Sequence, residues 1–247
     1  MTMPTGQRLP QELYDCIIDE LRDQPNSLKI CSLVSKSWAA QSQKHIFSTV
    51  KFSNDRDIGG WRNAFPDPAS SLAHHARKLI INSPKELPED LFPSFCNVTY
   101  LFLEVHGTRA SSISLTGLHG FTPFLKSLGT RFSYLHPIDI LTLAGSFPLL
   151  DNLSITTARF TTPDTKATPS KPLNVSGRLH LSMNRRSMGT MVNHLLSLPG
   201  GIHLRELSLA WGRDNDSSSM MALISACAST PENLCLCTWG THLDLLL

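Results

Sequence analysis

The chain has no excess of charge of either sign. Lys and Arg total 22 against 20 acidic residues in 247, and the net +2 gives no strong pull toward nucleic acid or an acidic membrane surface. It also has no apolar run of about 18 residues, the length needed to span a bilayer, and no positive-then-apolar N-terminal signal segment. The six cysteines, at 16, 31, 96, 227, 235 and 237, form no disulfide framework and read as reduced core thiols. Cys235-Leu-Cys237 lacks both the CxxC spacing and the second ligand pair of a metal site, and His74-His75 comes no closer to one. Catalytic signatures are missing too: there is no phosphate-cradling Gly-x4-Gly-Lys-Ser/Thr, no Gly-x-Ser-x-Gly elbow and no His-Glu-x-x-His. Neither an enzyme nor a cofactor is implied. The expectation is an intracellular protein, cytoplasmic or nuclear, with no nucleic-acid or membrane partner. Arg185-Arg186 is isolated, and the sequons at Asn97, Asn152, Asn174 and Asn215 read as accidents of a Ser/Thr-rich sequence.

What the chain does contain begins near its N-terminus. Leu9, Leu13, Ile17 and Leu21 recur every four residues and line one helical face, which Tyr14 and Ile18 widen. Pro10 suits a first helical turn, and Glu12 sits near the positive end of the helix dipole. Asp23, Pro25 and Asn26 stop that helix. Asn26 or Ser27 is placed to cap a second helix carrying Leu28, Cys31 and Leu33, and Ser35 or Ser37 a third carrying Trp38, Ile46 and Phe47. Three helices within about 40 residues make a core too small to be comfortable alone, so surplus apolar surface on this unit is expected to meet a partner.

The order Leu9-Pro10-x-Glu12-Leu13-x3-Ile17-x3-Leu21, then Leu28-x2-Cys31-x-Leu33-Val34-Ser35-x2-Trp38 and Phe47, resembles an F-box over residues 8–48. The resemblance implies docking on a Skp1-type adaptor and, through it, on a cullin. It places adaptor contacts at Leu9, Pro10, Leu13, Ile17, Leu33, Val34, Ser35 and Trp38. It also implies that the downstream chain selects the protein to be ubiquitinated, and says nothing about which protein that is.

Residues 73–247 carry a degenerate repeat, visible when short apolar segments are aligned on a central leucine. The segments are Leu79-x-Ile81, Leu101-x-Leu103, Leu128 with polar Thr130, Leu153-x-Ile155, Leu179-x-Leu181, Leu207-x-Leu209 and Leu234-x-Leu236, spaced 22 to 28 residues apart. Val98, Leu150 and Leu204 add an apolar residue three positions earlier, close to the Leu-x-x-Leu-x-Leu strand of a leucine-rich repeat. Helices are predicted between strands at Pro137 to Phe147, at Met188 to Leu198 with Met188, Met191, Val192, Leu195 and Leu196, and at Ser217 to Ala228 with Met221, Ile224 and Ala228. The expected fold is therefore α/β: a three-helix F-box, a junction over 49–72, then an irregular leucine-rich-repeat solenoid with a curved parallel sheet backed by helices. More loosely, this pairing resembles the fungal F-box proteins with irregular repeats.

In such a stack the leucines point inward and alternate positions line the concave face. That face would hold Lys78 and Ile80, Tyr100, Phe102 and Glu104, Arg131, Asn152 and Ser154, Arg178 and His180, and Glu206 and Ser208. Target contacts are expected from Tyr100, Phe102, Glu104, Arg131, Arg178 and His180. The two aromatic rings are the most telling, because exposed aromatics are enriched at binding hot spots, although a loop or the F-box could equally cover them. Gly59-Gly60, Pro66 and Pro68 mark the junction as a semi-rigid joint, with Trp61 and Phe65 packing it. Thr161 to Pro172 reads as a mobile surface insertion. The apolar end Leu243-Asp244-Leu245-Leu246-Leu247 lacks a polar cap, which fits a truncated array and a poorly soluble isolated chain. The functional expectation is the substrate-recognition subunit of an SCF-type ubiquitin ligase, the alternative being an adaptor-bound scaffold without ubiquitin transfer. Either way the target is a protein not readable from the sequence.

Overall fold

The structure, a computed structural model, describes residues 10–67, 71–82, 90–105, 118, 121, 123–132, 136–157, 175–199, 201–211, 217–227 and 231–238. Leu9, the Thr161 to Pro172 insertion and the apolar end at 243–247 lie outside these residues. Three helices open the described chain: α1 (Gln11–Glu20), α2 (Pro25–Cys31) and α3 (Lys36–Ile46). Ser35 caps α3 by accepting the Trp38 N–H at 3.3 Å. The start of α2 differs from the expected Asn26 or Ser27 cap, since Gln24 holds the cap position and Pro25 takes the first turn, where its missing N–H goes unneeded.

Among the described residues eight strands follow: β1 (Thr49–Phe52), β2 (Lys78–Asn82), β3 (Tyr100–Val105), β4 (Ser127–Phe132), β5 (Asn152–Thr157), β6 (Arg178–Met183), β7 (Glu206–Trp211) and β8 (Asn233–Thr238). They form one all-parallel sheet in sequential order, a solenoid-like α/β arrangement. The seven aligned leucines share one register row, from Leu79 through Leu101, Leu128, Leu153, Leu179 and Leu207 to Leu234, and Val50 extends it to β1. The sheet thus begins inside the segment read as a junction. That segment also holds α4 (Asp55–Ala64), where Asn54 accepts the N–H groups of both Arg56 and Asp57.

A backbone step repeats at most strand entries. Two successive N–H groups converge on one carbonyl of the previous turn: Thr99 and Tyr100 on Arg77, Ser127 and Lys126 on Thr99, Asp151 and Asn152 on Lys126, and Glu232 and Asn233 on Arg205. Parallel strands need a returning connection, and α5 (Pro137–Gly145), α6 (Arg185–Leu196) and α7 (Ser217–Cys227) supply it where helices were predicted. His136 caps α5 through Nδ1 and Asn184 caps α6 through its side-chain oxygen. The core lies between the leucine face and these helices, with Ile140, Leu141, Met191, Val192, Leu195 and Leu223 packed on the strand leucines. Thr130, the polar exception, is buried with its hydroxyl donating to the Ser154 carbonyl.

Two expectations need correction. On α7 Met220, Leu223 and Cys227 are buried and Met221 is exposed, whereas Ile224 packs half-buried against the core as expected and Ala228 lies outside the described residues. Of the six cysteines only Cys31 and Cys227 are buried; Cys16, Cys96, Cys235 and Cys237 are exposed thiols. Cys235 and Cys237 alternate with the leucines of β8 and so fall on the sheet face away from the helices. Among the described residues, no helix is long and apolar enough to cross a membrane.

Candidate interaction surfaces

The helical unit turns a second apolar stripe outward. Ile18, Leu28 and Cys31 fill its interior, and the Tyr14 ring meets Trp38 with centroids 5.6 Å apart. Asp19 on α1 accepts from Gln41 Nε2 at 2.5 Å and meets His45 Nε2 at 2.6 Å, tying α1 to α3. The His45 and Gln41 hydrogen bonds hold the Asp19 carboxyl below its ordinary range. Leu13 and Ile17, four residues apart on α1, are by contrast 48% and 47% exposed. Ile30, Leu33 and Val34 are more exposed still, at 68%, 86% and 60%. A large aliphatic side chain gains about 1.5–3 kcal/mol when fully buried, so covering any of these five on binding would be stabilising.

Of the expected adaptor contacts, Pro10, Leu13, Ile17, Leu33, Val34 and Ser35 are exposed. The Ser35 hydroxyl is engaged in capping α3, and Trp38 is half-buried against Tyr14. Ile30 was missed. Its exposure follows from the phase of α2: with Leu28 and Cys31 facing in, Ile30, two residues past the first and one before the second, falls on the other side of the helix.

The second surface is the sheet face away from the helices, where all six expected target contacts fall. Register sets Lys78, Tyr100, Ser127, Asn152, Arg178 and Glu206 in one row. Ile80, Phe102, Gly129, Ser154, His180 and Ser208 form the next. Neighbouring strands pair their side chains along these rows. The Lys78 ammonium lies 4.8 Å from the Tyr100 ring centroid, Arg131 meets Glu104 at 3.0 Å, and Arg178 meets Glu206 at 2.7 Å. Asn152 donates to the Ser127 hydroxyl at 3.2 Å, and His180 Nδ1 lies 2.9 Å from Ser208 Oγ.

Tyr100 and Phe102 are half-buried rather than prominent. Phe102 lies over Gly129, where an added Cβ would come within 2.6 Å of its Cδ2. Burial raises the Tyr100 phenol above its ordinary pKa. Burial first, then the Arg178 cation, pushes the His180 imidazole down, with Glu206 acting the other way. His180 beside a buried Ser208 sets an imidazole against a hydroxyl, and the Glu206 carboxylate that would orient such a base is engaged by Arg178. Cations and anions pair within the face, so it offers shape and hydrogen-bonding groups more than net charge. Among the described residues no group of three or more His, Cys, Asp or Glu is placed to hold a metal ion. Neither a protein-family model nor a curated protein matches the chain.

Proposed function

We propose that the chain is a non-catalytic recognition subunit of an SCF-type ubiquitin ligase, with α1–α3 docking as an F-box on a Skp1-type adaptor and the outer sheet face taking a protein target. The observation that carries the reading is the exposure of Leu13, Ile17, Ile30, Leu33 and Val34 on a helical unit with a separate interior of its own. Four of these five are positions the F-box resemblance assigns to the adaptor. The serial parallel sheet supports the second half, because a leucine-rich-repeat array presents one continuous face to a partner.

Affinity capture of the tagged full chain, with co-purifying proteins identified by mass spectrometry, tests the reading against a Leu13→Asp/Ile17→Asp/Leu33→Asp variant. Recovery of adaptor and cullin by the parent alone supports it, and recovery of neither by the parent overturns it. Proteins held by both are candidate targets. A target whose turnover slows when the chain is removed belongs to a ligase; an unchanged half-life assigns the chain to the scaffold reading.

A further inference from the structure

Strand β8 brings two thiols to the outer sheet face, beyond the residues expected to contact a target. Cys235 and Cys237 sit two residues apart on one strand face, both exposed, with their sulfurs 3.5 Å apart. A direct disulfide requires sulfurs about 2.05 Å apart and Cβ atoms about 3.8 Å apart. Register pairing of Cys235 with Ser208 and of Cys237 with Ala210 holds the backbone extended, and two residues of strand advance about 6.6 Å, which keeps the Cβ atoms well beyond that requirement. One atom bound by both sulfurs has a different geometry. Around a tetrahedral ion with metal–sulfur bonds of about 2.3 Å the sulfurs stand about 3.8 Å apart, and the narrower angle at pyramidal trivalent arsenic closes that toward the observed separation.

We propose that Cys235 and Cys237 form a bidentate dithiol site for a thiophilic centre, a soft metal ion or a monosubstituted trivalent arsenical, bridged by both sulfurs. The reaction with an organoarsenic oxide balances without an oxidant. Two S–H bonds and the arsenic–oxygen bond break, two arsenic–sulfur bonds form, and the oxygen leaves with both protons as water. At the thiol stage each sulfur carries its proton. Condensation tolerates that state, whereas a metal ion must displace the protons and gains affinity as pH rises. Exposure on β8, the last of the described strands, leaves the site open to ligands in solution.

The probe is phenylarsine oxide, added to the reduced full-length chain, followed by a monothiol wash and intact-mass measurement. One adduct per chain, retained against the monothiol, released by a dithiol and mapped to the peptide holding both residues, is the expected result. Cys235→Ser and Cys237→Ser should each lower retention at least tenfold, while Cys16→Ser and Cys96→Ser, at the other exposed thiols, leave it unchanged. Retention no better in the parent than in Cys235→Ser overturns the site, as does a Cys235–Cys237 disulfide that re-forms in air faster than the arsenical binds. A Zn²⁺ arm separates the sources: protection of the pair by Zn²⁺ assigns the site to metal ions as well, and capture indifferent to Zn²⁺ assigns it to metalloids.

Discussion

Two glycines show how the identity of a neighbouring atom decides the cost of a methyl group. A Cβ at Gly177 would sit 2.5 Å from the Asp151 carbonyl oxygen, a backbone atom fixed by the Arg178 N–H it accepts. The three atoms nearest a Cβ at Gly129 all belong to the Phe102 ring, a side chain with rotatable bonds. Gly177→Ala is therefore expected to destabilise by about 2–3 kcal/mol and Gly129→Ala by about 1 kcal/mol, read from chemical denaturation; equal losses would contradict the account. In addition, the Gly129→Ala cost should fall in a Phe102→Ala background, because the two residues share the contact.

His180 gives a pH dependence whose sign follows from its environment. Its folded pKa lies below the unfolded value of 6.5, so the unfolded chain takes up the proton first on acidification. The His180 contribution is fully present above pH 6.5 and declines as pH falls from there through the lower folded value. His75 and His194 are lowered mainly by burial and act in the same direction. The urea midpoint should drop between pH 7.5 and 5.5, and His180→Gln should drop less than the parent over the same interval. An equal drop in both would remove His180 from the effect.

At the scale of elements, the strands were legible because alternation places a leucine at the same point of each, and α5 and α6 because their apolar residues keep helical spacing. β1 was not, because Val50 and Phe52 stand where later strands carry leucine-centred pairs, and because they directly follow the helical unit. α4 was hidden by Gly59-Gly60, which read as loop. Its start is secured by Asn54, while Trp61 packs edge-on against Phe47 and Phe52. Neither glycine needs to be glycine, since a Cβ at either would find no atom within 4 Å. Gly59→Ala and Gly60→Ala should each stabilise by about 0.5–1 kcal/mol, through lower backbone entropy in the unfolded chain, as a rise in Tm. A fall in Tm would show that α4 is not helical there. The candidate surfaces were legible in part: periodicity marks Leu13 and Ile17 as apolar, but whether that stripe turns inward or outward depends on which neighbour Ile18 meets.

Across the whole molecule, stability is set by position in the array. Leu153 on β5 is 1% exposed, between strands on both sides, whereas Leu234 in the same row of β8 is 47% exposed. Leu153→Ala should cost about 2–5 kcal/mol and Leu234→Ala less than half as much, compared by urea midpoints. Comparable costs would mean that β8 is covered as fully as the central strands. A sheet built by serial addition also separates the two proposed tasks, since the helical unit precedes the first strand and the outer face runs along all that follow.

That separation makes one measurement decisive: the affinity of the purified full chain for a purified Skp1-type adaptor by titration calorimetry, for the parent and for Leu33→Asp. Leu33 is 86% exposed, so the substitution should leave Tm unchanged. The account expects saturable one-to-one binding by the parent and at least a hundredfold weaker binding by the variant. No binding by the parent, or equal binding by both at equal Tm, would contradict adaptor docking through this stripe.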